Sequence, residues 1–132
     1  MSGNQKNNDN ILNNNLSENE LNLWANELKL AITVADINDN IIYMNEKSKL
    51  TFPNSKIGDN LASCHKQISM DKVRKFKESD ISNTYTIKKN GIKKLIHQTP
   101  WYKDGNIAGL VEFSIEIPNE LPHFDRDVEI KN

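Results

Sequence analysis

The sequence predicts an α+β domain: a five-stranded antiparallel sheet with helices on a face. Three observations predict it. Apolar residues alternate with polar ones in two stretches at 31–44 and again across residues 84–117. Asn90-Gly91 and Lys103-Asp-Gly-Asn106 interrupt the second region as hairpin turns, which makes it a three-strand meander. Helical spacing appears before the first pair of strands and between the two regions.

Each element follows from its own residues. Residues 1–15 contain seven Asn and little apolar surface to offset their ordering entropy, so they are read as a disordered Asn-rich tail. Ser17 and Glu20 form a capping box, with Leu16 and Leu21 at its staple positions. Leu21, Trp24, Ala25 and Leu28 then fall on one stripe, which predicts an amphipathic helix within residues 16–30. Ala31-Ile-Thr-Val-Ala-Asp36 reads as a strand, 37–40 as a turn and 41–44 as the returning strand. Asn45 is an N-cap for a short helix that Pro53 stops. Residues 54–68 are irregular, with a short helical piece at 61–65. Ser69 caps a helix that carries Met70, Val73 and Phe76 on one side. Strands at 84–89, 92–102 and 107–117 follow, and residues 118–132 form a polar tail.

Composition removes several function classes. A length of 132 residues fits one domain. Lys plus Arg is 17 against Asp plus Glu 18, a net charge of −1, which argues against nucleic acid as a partner. Lys88, Lys89, Lys93, Lys94 and Lys103 then read as solvated, edge-protecting lysines at a hairpin tip. The longest apolar runs are far shorter than the about 20 residues of a membrane-spanning helix. The N-terminus lacks the apolar stretch of a signal peptide, so the expected location is cytoplasmic, with no membrane partner. A lone Cys64 excludes an internal disulfide and a multi-cysteine metal site.

The motifs Ala31-Ile-Thr-Val-Ala-Asp36, Ile41-Ile-Tyr-Met-Asn45, Ile57-Gly58, Asn90-Gly91, Gln98-Thr-Pro100, Lys103-Asp-Gly105 and Ala108-Gly109-Leu-Val-Glu-Phe occur in that order. Together they make residues 21–117 resemble a PAS domain, with its core at 31–117. Cys64-His65 and Thr99-Pro100-Trp101 are similar to a subgroup of small stand-alone bacterial PAS proteins. The resemblance implies strand order 2-1-5-4-3 and a sensory or signal-transduction module. Such a module binds a small molecule between sheet and helices, or dimerises. The remaining residues hold no kinase, cyclase or DNA-binding segment, so an output protein is expected in trans.

The family pattern also assigns faces. Thr33, Ala35, Ile96, Gln98, Leu110, Glu112 and Ser114 are expected toward the helices, where Cys64, His65 and Phe76 join them as ligand-binding candidates. Glu112 is the informative residue, because a carboxylate on a covered sheet face is costly unless it is paired or protonated. The opposite face carries Ile32, Val34, Leu95, His97, Trp101, Val111, Phe113 and Ile115, too much apolar surface to leave bare. The Leu21/Trp24/Leu28 helix, a second subunit in a homodimer, or both, are expected to cover it.

Two further chemistries stay open at this point. Cys64 and His65 allow a haem or redox sensor, with His65 as metal ligand. Glu112 and His65 allow an acid–base pair in a small hydrolase or isomerase, although no nucleophile motif accompanies them. A flavin photo-adduct is disfavoured. Asn60-Leu61-Ala62-Ser63 aligns with the light-oxygen-voltage motif, and Leu61 stands where that motif has its cysteine.

Overall fold

The computed structural model describes residues 18–61 and 81–127, with side chains described from residue 22 onward in the first segment. The tail 1–15, the Ser17 cap, the Leu21 side chain, Cys64, His65 and the helix expected to carry Phe76 lie outside the described residues. Helix α1 (Glu18–Glu27) leads into β1 (Ala31–Asp36) and β2 (Ile41–Met44). Helix α2 (Glu46–Thr51) follows, and the meander is β3 (Asn83–Lys89), β4 (Ile92–Lys103) and β5 (Asn106–Ile117). The five strands form one antiparallel sheet in the order β2-β1-β5-β4-β3. The first and last strands therefore pair at its centre, as the resemblance implies.

Local chemistry accounts for the connections. Asp36 closes the β1–β2 turn by accepting from the backbone N–H of Asn38 at 2.9 Å and of Asn40 at 3.0 Å. Both meander turns have two central residues with positive φ: Asn90 at 53° with Gly91 at 79°, and Asp104 at 53° with Gly105 at 82°. This is the type I′ geometry, whose twist matches the flanking strands. It pairs Lys89 with Ile92 and Lys103 with Asn106 directly across each turn, which extends β4 and β5 by a residue beyond expectation.

The stretch after α2 protects an exposed edge. Gly58 N–H donates to the Ile41 carbonyl, Ile41 N–H to Asp59 and Leu61 N–H to Asp39, each at 2.8 Å. These bonds satisfy groups on the outer side of β2. They also carry Leu61 into a core cluster with Ala35, Ile41 and Met44, against which Phe52 packs.

Helix α1 departs from expectation. Its neighbour is α2. Trp24 is 49% exposed, so the indole is not the fully buried cover of the Val111/Phe113 face that the stripe suggested. The physical reason is its anchor. Asn45, at the head of α2, donates to the carbonyls of Ala25 at 3.0 Å and Leu30 at 2.8 Å, which ties the end of α1 and its linker beside α2. Leu28, Val34, Leu95, Trp101, Val111, Phe113 and Ile115 are half-buried, whereas Ile32 is buried. Among the described residues no helix is long and apolar enough to cross a membrane.

Candidate functional site

Strand alternation places Thr33 and Ala35 of β1, Gln98 of β4, and Leu110 and Glu112 of β5 on one face of the sheet. Ile41 and Met44 lie beside them on β2, paired with Ala35 and Thr33, and Phe52 at the end of α2, Ser55 and Leu61 complete the lining. Together these ten residues line a cavity of about 200 Å³. Five of the sequence-derived ligand candidates therefore meet in one place: Thr33, Ala35, Gln98, Leu110 and Glu112. Ile96 and Ser114 are buried on the same sheet face, pairing with each other across β4 and β5, outside the lining of the cavity. Cys64, His65 and Phe76 belong to the residues not described.

The polar end of the cavity is organised as a relay. Asn83 Nδ2 donates to Gln98 Oε1 at 3.4 Å, and Gln98 Nε2 donates to Glu112 Oε2 at 2.8 Å. The first bond orients the amide so that its N–H₂ end faces the carboxylate. Glu112 is half-buried. Its negative charge reaches Tyr85 on β3, whose phenol is held above its ordinary pKa, first by burial and then by Glu112. A second polar pair sits at Thr33, whose Oγ1 lies 2.6 Å from Ser48 Oγ. Ser48 is fully buried in the first turn of α2.

Asn45 holds this side of the cavity in place. Its Oδ1 accepts from the N–H of Ser48 and of Ile32, each at 2.9 Å, while its Nδ2 makes the bonds to Ala25 and Leu30. Asn45 itself is fully buried, at 0% exposure. The sequence marked Asn45 as a helix cap. Its role as a junction of α1, β1 and α2 is set by long-range contacts.

A second junction lies on the other face. Trp101 Nε1 donates to the Ala35 carbonyl at 2.9 Å, crossing β5 above Gly109. Gly109 has φ +155°, and a Cβ there would collide with the Ala35 carbonyl oxygen and come within 2.8 Å of Trp101 Nε1. Only a residue without a side chain lets the indole cross. Alternation alone reads Trp101 as a seam residue. The hydrogen bond to β1 makes it a strap behind the cavity wall.

Sequence reasoning missed Ile41, Met44, Phe52, Ser55 and Leu61 as lining residues. The apolar run at 41–44 and the helix stop at Phe52-Pro53 carried a faint signal for them. The haem, redox and acid–base alternatives all turn on Cys64 or His65, which lie outside the described residues. The partner of Glu112 is the Gln98 amide, which does not titrate, and His97 bonds Thr84 Oγ1 through Nδ1 at 2.7 Å on the other face of the sheet. A volume of about 200 Å³ is smaller than the about 300–1,000 Å³ of most drug-sized ligand sites.

No family model matches the chain, and no curated protein matches it. Solved structures do. The PAS domain of an HTR-like protein from Haloarcula marismortui superposes with a TM-score of 0.61 at 11% identity, covering 89% of this chain and 100% of that one. A PAS domain from Colwellia psychrerythraea gives 0.55 at 20% identity, covering 75% and 95%. The Vibrio cholerae VqmA dimer gives 0.62 at 17% identity, covering 79% and 53%. This chain thus spans about half the length of VqmA, which is also known bound to DPO and in a complex with ligand and DNA. The five-stranded antiparallel sheet in the order β2-β1-β5-β4-β3 matches these neighbours: the chain has the PAS fold.

Proposed function

We propose that this chain is a sensory or regulatory module that binds a small molecule between the sheet and the segment from α2 to Leu61. The observation that carries the reading is Glu112: a carboxylate on a mostly apolar cavity, held in place by Gln98. A purely structural core would fill this space with aliphatic side chains, because a carboxylate among them costs free energy unless a partner compensates it. The binding of DPO by VqmA, a protein of the same fold, supports a ligand role. Change in the occupied cavity passes to a protein partner in trans, and the chain itself is not an enzyme.

Native mass spectrometry of freshly purified full-length protein tests this. A mass increment that disappears on denaturation is the expected result. Absence of an increment, with no rise in melting temperature across a panel of small organic molecules, overturns it.

A second reading concerns assembly. Leu95, Trp101, Val111, Phe113 and Ile115 are half-buried on the far face, and Trp24 is half-exposed. A two-fold contact with another copy covers such a patch economically, and VqmA is a dimer. Light scattering should report a dimer at micromolar concentration, and Val111→Lys should convert it to monomer. A wild-type monomer at that concentration removes the reading.

A further inference from the structure

The composition of the cavity restricts what can occupy it. An apolar protein cavity of about 150 Å³ accommodates benzene. Scaled by volume, the about 200 Å³ found here holds a body of roughly eight non-hydrogen atoms. Most of its wall is apolar: Ile41, Met44, Phe52, Leu61 and Leu110. The polar requirement is concentrated at Glu112. Among the described residues no lysine, arginine or histidine pairs with that carboxylate, and its one hydrogen bond comes from the neutral Gln98 amide. Among the described residues the site therefore offers a negative charge and acceptor oxygens without a countercharge.

We infer that the cavity selects a small organic cation, an apolar body of about eight non-hydrogen atoms ending in a protonated amine. This inference rests on reading the cavity as a ligand site, and it names the class of ligand. An ammonium group donates to Glu112, and Thr33 and Ser55 add hydroxyl-bearing residues to the same lining. Phe52 adds an aromatic wall, the side-chain type whose ring face attracts a cation. A neutral alcohol of the same shape supplies a hydrogen bond and leaves the charge uncompensated. A carboxylic acid of that shape meets like charge. The discrimination is thus electrostatic, while the apolar body contributes non-directional affinity.

Calorimetry on the full chain near neutral pH, at matched ionic strength, provides the test. The probes are benzylamine, benzyl alcohol and benzoate, which share a ring and differ in charge. Benzylamine should bind at least about tenfold more tightly than benzyl alcohol, the range expected of a charge-assisted hydrogen bond, and benzoate should not bind. Glu112→Gln preserves shape and should bring the amine and the alcohol to similar affinity. Ala35→Leu, which fills the cavity, should abolish binding of both. A cooperative unfolding transition verifies that each variant is folded, and the wild-type comparison stands without either.

Equal binding of amine and alcohol by the wild-type chain overturns the cation assignment and leaves the ligand-site reading standing. Amine binding that survives in folded Ala35→Leu shows that the amine sits elsewhere, and also overturns the assignment. If none of the three probes binds, the assignment falls. If native mass spectrometry then finds no bound molecule either, the reading beneath it falls as well.

Discussion

Asn45 and Glu112 show how much of this domain depends on single polar side chains. Asn45 satisfies two buried donors and two carbonyls from three separate elements. A buried group left without its partner costs about 1–3 kcal/mol, so Asn45→Ala should destabilise the fold by about 3 kcal/mol or more in denaturant melts. Asn45→Asp separates the two halves of the role. It keeps the accepting oxygen for Ser48 and Ile32, and sets a second oxygen against the Ala25 and Leu30 carbonyls. It should therefore also be strongly destabilising, which a simple helix-cap role does not predict, since Asp is as good a cap as Asn. At Glu112 the charge can be read remotely. Glu112→Gln removes one of the two causes that hold the Tyr85 phenol up, so its titration midpoint should move down toward the ordinary value in a ring-resolved NMR titration.

At the scale of elements, the strands were legible and their cross-links were not. Period-two alternation, Asn90-Gly91 and Asp104-Gly105 mark the meander because side-chain direction and turn handedness are local properties. Trp101 reaching across β5 to Ala35 is not local, and neither is the need for glycine at 109. Gly109→Ala should cost about 2–4 kcal/mol through strain and overpacking, with a change in Trp101 fluorescence as the indole loses its acceptor. Helix α1 illustrates the opposite error. Its apolar stripe is a property of the sequence, and a stripe does not specify which surface it meets. With the indole half-exposed, Trp24→Ala should cost about 1–2 kcal/mol, less than the about 3–5 kcal/mol of a fully buried indole. A larger loss that grows with protein concentration would assign the rest of the ring to a subunit contact.

For the molecule as a whole, the link between α2 and the sheet is partly electrostatic. Lys47 Nζ lies 2.7 Å from Glu116 Oε2. That hydrogen bond, and then the lysine charge, hold the Glu116 carboxyl below its ordinary pKa. A carboxyl whose pKa is lower in the folded state than in the unfolded state stabilises the fold above its unfolded value. That stabilisation disappears as the pH falls through the folded value. Glu116→Gln should accordingly flatten the acid side of a melting temperature–pH profile. The effect at neutral pH should be small and reduced by salt, because both side chains are exposed to solvent.

By itself the sequence determined the α+β class, the five strands and the two turns of the meander, and the family resemblance implied the sheet face that carries Thr33, Ala35, Gln98, Leu110 and Glu112. The class, strands and turns depend on chain-local rules: periodicity and turn propensity. The tertiary structure alone decided that Phe52, Ser55 and Leu61 close the cavity, that Gln98 faces Glu112 with its donor end, and that Asn45 and Trp101 brace the two sides of β1. These depend on distances between residues far apart in the chain. Such distances are set by how elements of given length pack around a shared core, and a pattern read along one strand or helix carries no measure of them.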